Sequence, residues 1–354
     1  MNTTPLNTFV IGGSGYVAGE LLRLLAQHPH LHSPIAISES RPGESIAAAF
    51  PHLSPLVGEQ CFHSLEDAKQ RLATGSSLIL SAAPHGVSAA LLDELIRVAE
   101  RAQQPLKVVD ISADYRFKDA AQYANVYGHA HGAAHRLGDF VCGLPEHLAT
   151  SPNTAYVAHP GCFATAMLLS IWPLLRNSLT EDEFFLSGVT GSTGSGRKPS
   201  DGTHHPKRHS DLYAYNALAH RHSPEVAQLC QHLTGTLPTL HFVPHSGPFA
   251  RGIHMTVQAK LRQDCDQRAV LNCFEEAYAH SAFVRVVKTP PRLKDVVGSN
   301  YAEIAVSTDG RSVAVTTVID NLVKGAAGGA IQWANRLLGF AENAGLTAPS
   351  LGYT

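Results

Sequence analysis

The segment His159-Pro160-Gly161-Cys162-Phe163-Ala164-Thr165-Ala166 has the make-up of a nucleophile site. Pro-Gly breaks the chain and a helical pattern starts just after Cys162, which predicts a thiol at a helix N-terminus. There the dipole favours thiolate, and neighbouring backbone N–H groups can receive an oxyanion developing on an attacked carbonyl. The bland alternative for a single cysteine is an inert, buried core residue. Cys61, Cys142, Cys230, Cys265 and Cys273 are assigned to that class.

A second segment, His220-Arg221-His222-Ser223-Pro224-Glu225, offers a proton carrier. Ser223 and Pro224 read as N-cap and first residue of a helix, which puts His222 just before it. A histidine at such a loop end can serve a thiol as general base and then as acid. Glu225 could orient its ring, and Arg221 or a neighbour could hold an anionic substrate. The competing reading is an exposed polar helix start. His204, His205, His209, His220 and His222 crowd within twenty residues, yet there is no H-E-x-x-H and no C-x-x-C, so no metal is expected and most histidines are read as surface residues.

A third segment, Gly12-Gly13-Ser14-Gly15-Tyr16-Val17-Ala18-Gly19, joins a short apolar strand to a helical pattern. Glycines there permit a tight turn and close approach to a pyrophosphate, which the helix N-terminus would attract. At the end of the second strand, Ser38-Glu39-Ser40-Arg41 bears on cofactor choice. Ser40 and Arg41 suit the 2′-phosphate of NADP, while Glu39 would suit the ribose hydroxyls of NAD; NADP is the expectation.

These groups need a scaffold. Thr8–Ile11, 33–38, Ser77–Ser81 and Leu106–Ile111 read as strands, with helical patterns at 19–26 and 87–101 between them. Four short apolar strands with helical crossovers predict an α/β fold, a parallel, doubly wound sheet. Near residue 155 the pattern changes. Strands are expected at 184–189, 241–244, 253–261 and 313–319, and helices at 165–175, 224–233 and 268–278, which predicts a mixed α+β second domain. A last helix at 324–340 is expected to return to the first domain.

Composition sets outer limits. The chain has 354 residues, 44% hydrophobic, enough for two domains. A formal charge of -2 without charged blocks favours neither nucleic acid nor an anionic membrane as partner. No signal-peptide pattern or membrane-length apolar run is present, and six scattered cysteines make no disulfide framework, so a cytoplasmic protein with reduced thiols is expected.

Together the motifs resemble the N-acetyl-γ-glutamyl-phosphate reductase family of arginine biosynthesis. The matching segments run in one order nearly end to end: Gly-Gly-Ser-Gly-Tyr at 12–16, Pro-His-Gly at 84–86, Asp-Ile-Ser-Ala-Asp-Tyr-Arg at 110–116, and Gly-Leu-Pro-Glu at 143–146. The Cys162 segment follows, then Ser-Gly-Val-Thr-Gly-Ser-Thr-Gly-Ser-Gly-Arg at 187–197 and the His220 segment. Pro-His at 244–245, Arg-Gly-Ile at 251–253, Gly-Ser-Asn-Tyr at 298–301 and Asp-Asn-Leu-Val-Lys-Gly-Ala-Ala-Gly at 320–328 complete the set.

The resemblance implies a Rossmann-type domain over 1–158, completed by 325–354, and an α+β catalytic and oligomerisation domain over 159–324, as in aspartate-semialdehyde dehydrogenase. It implies NADPH-dependent reduction of an N-acylated glutamyl phosphate to the semialdehyde and phosphate, by a homo-oligomer, dimer or tetramer, acting on a small-molecule acyl phosphate. Cys162 matches the nucleophile. The catalytic histidine falls in the His-Arg-His stretch, and His222 is chosen over His220 for its helix-start position. Ser112, Arg116, His220 and Glu225 fall on the substrate side. Gly12, Ser14, Gly15, Tyr16, Val17, Ser40, Arg41, Pro84, Ser192, Gly194 and Asn321 fall on the cofactor side, with Lys324 near them. Departures from the family pattern are Ala18 for a glycine, Ser-Glu-Ser-Arg at 38–41 and His159 before Pro-Gly-Cys. His204-His205-Pro206 resembles the sister enzymes of lysine biosynthesis, whose N-blocked aminoadipyl phosphate is one methylene longer. From another class, a non-catalytic dinucleotide-binding regulator would need the glycine turn but not the Cys162 and His220 segments.

Overall fold

The run Thr8–Ile11 forms an inner strand of a parallel sheet in the computed structural model, which describes residues 6–149, 151 and 153–353. Its strands are β1 (Asn7–Ile11), β2 (Ile35–Ile37), β3 (Ser77–Ser81), β4 (Leu106–Asp110), β5 (Phe140–Cys142) and β6 (Tyr156–Ala158). They lie in the order β2-β1-β3-β4-β6-β5, every pair parallel. All five residues of β3 are buried, as expected of a strand covered on both faces. The four strands expected from sequence become six, because β5 and β6 are three residues each, too short to show a period. Registers Ile11↔Ile37, Ile11↔Ser81, Ser81↔Asp110 and Asp110↔Ala158 align the C-terminal strand ends along one edge.

The chain divides into two compact units, Met1–His159 with Ala327–Thr347, and Pro160–Ala326 with Ala348–Thr354. The helix Gly328–Leu338 belongs to the first, where Trp333 Nε1 donates to Gly143 O at 3.0 Å and Asn335 Oδ1 meets His28 Nε2 at 2.9 Å. The single helix expected over 324–340 is interrupted: Val323–Ala327 is a π-type turn, with Gly325 N bonded to Asp320 O five residues back at 2.9 Å. The tail expected to follow it into the first unit instead goes with the second from Ala348, where Ser350 Oγ donates to Lys294 O.

The second unit holds β7 (Thr180–Thr190), β8 (Tyr213–Ala214), β9 (Thr239–Ser246), β10 (Ile253–Leu261), β11 (Val284–Val286), β12 (Ala302–Thr308) and β13 (Ser312–Ile319). Their order is β11-β12-β13-β10-β7-β9-β8, a mixed sheet with β10 antiparallel to both neighbours. The helix Cys162–Arg176 packs on β7, β10 and β13, and every residue from Phe163 to Leu175 is buried. Pairings Thr190↔Ile253, Ile253↔Ile319, Thr190↔Ser246 and Ser246↔Tyr213 put these strand ends in one row. Among the described residues, no helix is long and apolar enough to cross a membrane, and no group of three metal-ligating side chains occurs.

Candidate active site

In the first unit, the predicted cofactor residues leave the C-terminal edge of the parallel sheet. Gly12 has φ 80°, and a Cβ there would lie 2.5 Å from Ala82 O; one at Gly13 would lie 2.9 Å from Ile37 O, and one at Gly19 2.7 Å from the Phe50 ring. Those three glycines are demanded by the unit's own packing. Gly15 is different: its Cβ would meet only Gly12 O, at 3.8 Å, and it is the N-cap of the helix Tyr16–Leu25, which no side chain caps. Ser14 and Val17 are half-buried and Tyr16 is exposed. β1 pairs with β2 on one side and β3 on the other, so the turn opens where the sheet order reverses, the place where α/β sheets hold ligands. Ser40 and Arg41 follow β2; Ser40 is exposed, and Arg41 reaches Glu44 at 3.5 Å with both side chains open to solvent. Pro84 lies exposed after β3, its carbonyl accepting from Val87 and Ser88 N–H.

Ser112 and Arg116, predicted to meet substrate, are buried and hydrogen-bonded inside this unit. Ser112 Oγ donates to Asp110 Oδ2 at 2.6 Å and accepts from Asp114 N at 3.1 Å. Asp110 also accepts from Ser88 Oγ at 2.8 Å, and Asp114 receives Gly86 N, Ala89 N and Tyr123 Oη. Burial foremost pushes the Asp110 carboxyl up to about 6. Arg116 Nε donates to His159 O at 3.0 Å and Nη2 to Ile111 O at 2.8 Å. The hydroxyl of Ser112 thus orders its loop.

In the second unit, Cys162 is the first residue of its helix, half-buried, behind the extended N-cap Gly161. Gly161 N donates to Glu225 Oε1 at 2.8 Å. The carboxylate expected to orient the His222 ring thus steadies the backbone just before the thiol. His222 is not ahead of its helix but is its first residue: Arg221 already has helical angles, and Ser223 N bonds His220 O at 3.0 Å, so Ser223 is not the cap. His220 and His222 are both buried, rings 4.7 Å apart, and Phe163 beside Cys162 lies 5.7 Å and 6.3 Å from them. His220 Nδ1 accepts from His222 N at 3.2 Å, and burial, then Arg221, pushes His220 down to about 4. Tyr215 stands 5.8 Å from the His220 ring, and burial followed by the charge of Cys162 pushes its phenol up.

The loops at this strand row brace one another. Ser192 N and Thr193 N bond Phe249 O and Ala250 O, and Gly194, exposed, closes a turn onto Gly191 O. Asn321, predicted on the cofactor side, is buried, with Oδ1 accepting from Gly252 N at 2.7 Å and Nδ2 donating to Thr193 Oγ1 at 3.0 Å. Asp320 collects Arg251, Gly298 N, Leu322 N and Val323 N. Lys324 is fully buried, its ammonium 5.6 Å from the Phe283 ring centre. Of the other cysteines, Cys142, Cys230 and Cys273 are buried as expected, whereas Cys61 is exposed and Cys265 half-buried.

The chain matches the semialdehyde dehydrogenase NAD binding domain over residues 7–151 and the semialdehyde dehydrogenase dimerisation domain over 162–321. It is 36% identical over 344 residues to N-acetyl-gamma-glutamyl-phosphate reductase of Bacillus cereus (strain B4264), covering 95% of this chain and 97% of that one. The enzyme of that name from Bacillus anthracis matches at the same identity and coverage. The chain belongs to the N-acetyl-γ-glutamyl-phosphate reductase family. Its fold is shared with aspartate semialdehyde dehydrogenase II of Vibrio cholerae, in the structure complexed with ASA, at a TM-score of 0.67 and 14% identity over 95% of this chain and 99% of the other. A probable aspartate-semialdehyde dehydrogenase from Pseudomonas aeruginosa agrees at a TM-score of 0.67 and 18% identity, with the same two coverages. As a reductase of this family it is an oxidoreductase with a nicotinamide-cofactor domain.

Two members of the candidate site escape a sequence reading. A Cβ at Gly325 would sit 2.8 Å from Cys162 Cβ, so only glycine lets the turn after β13 press against Cys162. Tyr215 has no motif of its own; only the pairing of β8 with β9 brings it to the strand row.

Proposed function

We propose that this chain reduces N-acetyl-γ-glutamyl phosphate to N-acetylglutamate semialdehyde and inorganic phosphate through a thioester on Cys162. The observation that carries the reading is a half-buried thiol on the first residue of a helix, with the buried His220–His222 pair against the ring of Phe163, the next residue. The helix start favours thiolate, which attacks the γ-carbonyl carbon. First-turn N–H groups receive the oxyanion; the C–O bond to phosphate then breaks and phosphate leaves with its electron pair. Glu225, by fixing Gly161, holds the Cys162 backbone in the attacking position. His220 is pushed too low to carry a proton near neutral pH, and its Nδ1 is engaged, which favours His222 as the residue that protonates the hemithioacetal oxygen or the departing sulfur.

Nicotinamide chemistry supplies the hydride that converts the thioester carbon to the aldehyde level. The residues present fit such a group: Gly15 has room where a side chain would intrude, at an uncapped helix start. Tyr16 and Val17 would hold the pyrophosphate by backbone N–H, Pro84 would line the site, and Ser40 with the loosely held Arg41 would take the 2′-phosphate of NADP. Ser192 and Gly194 would lie on the cofactor side of the second unit, with Asn321 as their brace. Arg116 would offer its charge to the substrate from a fixed position, and Ser112 would keep its loop in shape. The dimerisation-domain match supports a homo-oligomer, and six free cysteines suit a reducing, cytoplasmic setting.

The reverse reaction tests this. N-acetylglutamate semialdehyde, phosphate and NADP are expected to yield reduced nicotinamide, with phosphate obligatory and NAD slower. Reduction without phosphate would overturn the acyl-phosphate reading. A second reading rests on His204-His205-Pro206: preference for the N-blocked aminoadipate semialdehyde in the same assay would replace the glutamyl substrate by its longer homologue.

A further inference from the structure

Arg208 ends the single-turn helix His205–Arg208, inside the excursion that leaves β7 at Thr190 and rejoins the sheet at Tyr213. The residue is 8% exposed. Its Nη1 and Nη2 are buried and, among the described residues, have no hydrogen-bond partner. A guanidinium does not give up its proton in proteins, and an enclosed charge without a counter-charge is unfavourable. Of the two carboxylates near it in sequence, Asp201 pairs with Lys207, and Asp211, three residues on, is exposed and donates its backbone N–H to Arg208 O at 3.4 Å. Over residues 197–213 the chain carries Arg197, Lys198, Lys207 and Arg208 against Asp201 and Asp211, an excess of positive charge.

The excursion is tied at both ends to one strand row of the second unit. At its start, Thr190 pairs with Ile253 and Ser246, and Thr193 is held by Asn321. At its end, Tyr213 pairs with Ser246, and two residues on Tyr215 senses the charge of Cys162. The next turn along the row, after Ile319, brings Gly325 against Cys162. A buried forked cation in that position is built for a planar or tetrahedral oxyanion.

We infer that the Arg208 guanidinium is a binding site for an oxyanion of the reacting acyl phosphate, either its phosphate or its carboxylate. The assignment rests on the proposed reaction for the identity of the anion, though not for the existence of the site. Arg208→Met removes the charge and keeps the bulk. Thermal denaturation is followed against inorganic phosphate and, separately, N-acetylglutamate, for the wild type, Cys162→Ser and Arg208→Met. At least one anion is expected to raise the melting temperature of the first two with a saturable dependence and to leave Arg208→Met unmoved, while Arg208→Met without anion melts no lower than the wild type.

In the reverse assay, Arg208→Met is expected to raise one KM at least tenfold with the KM for NADP within twofold. A rise for phosphate assigns the phosphate group, and a rise for the semialdehyde assigns the carboxylate. Arg208→Lys, which keeps the charge without the fork, covers the case in which the methionine variant does not fold and is expected to show the same KM rise in smaller measure. Equal anion stabilisation of variant and wild type, together with unchanged KM values, would overturn the inference. Arg208-dependent stabilisation by phosphate in a protein that turns over neither semialdehyde would leave the anion site standing and remove the proposed reaction.

Discussion

Burial acts in the same sense on two polar centres and makes them respond oppositely to pH. In the first unit, Asp110 is fully enclosed among Ser112, Ser88 and Asp114, and its carboxyl is pushed up to about 6. In the second, His220 is enclosed beside His222 and Phe163, and its ring is pushed down to about 4. Each shift favours the neutral form. The Asp110 centre is a closed network in which the hydroxyls of Ser112 and Ser88 both point at one carboxylate. The second unit instead holds a half-buried thiol and an enclosed guanidinium whose Nη1 and Nη2 have no hydrogen-bond partner among the described residues. One region is finished by its own side chains; the other is, on the reading proposed above, completed by a ligand.

The severest way to break that contrast is at the thiol. Cys162→Ser is expected to lower kcat in the reverse reaction by about 10^4-fold, with NADP affinity within twofold by fluorescence titration. Ordinary turnover by the serine variant would end covalent catalysis here. Gly325→Ala follows, because its methyl must displace a neighbour 2.8 Å away; a kcat loss of about 10^2-fold is expected with the KM for NADP unchanged. Glu225→Ala removes the acceptor for Gly161 N and should cost on the order of tenfold in kcat, partly restored in Glu225→Gln, whose amide oxygen can still accept. Equal losses in both variants would show that the carboxylate charge, and not the bond to Gly161, is what matters.

The smallest effect sharpens the comparison itself. Unfolded chains release the Asp110 proton near 3.8, while the folded chain keeps it to about 6. Between those values the folded state binds more protons, so this group's stability contribution is full below the lower value and is lost as pH rises to the upper. His220 takes up a proton near 6.5 when unfolded and only near 4 when folded, so its contribution is present above 6.5 and is lost as pH falls. Melting curves from pH 4 to 6.5 should therefore show wild-type stability relative to Asp110→Asn falling with rising pH, and relative to His220→Gln rising, each by a few degrees. Slopes of the same sign would refute one of the two burial effects.

Much of this was legible in the residues. The apolar runs gave away β1, β3, β4, β10 and β13, and Pro-Gly before Cys162 announced the helix start. β5, β6, β8 and β11 span only two or three residues and carry no period. β12 was hidden because Glu303 interrupts its apolar run, a buried carboxylate neutralised by Arg285 at 2.7 Å. The helix at His222 was expected two residues late, since Ser-Pro is a strong start signal and nothing local says that Arg221 already turns. Gly325, Tyr215 and Arg208 owe their surroundings to pairings far apart in the chain, which no single segment encodes.

The row Thr190, Ser246, Ile253 and Ile319 has a consequence for how such an enzyme can change. Ladder bonds fix where each loop departs, whatever the loop contains. The stretch 197–202 is exposed, so it can be lengthened, shortened or exchanged without shifting the strands or the thiol. Transplanting that one stretch between homologues is a route to altered acyl-group selectivity on an unaltered chemical apparatus.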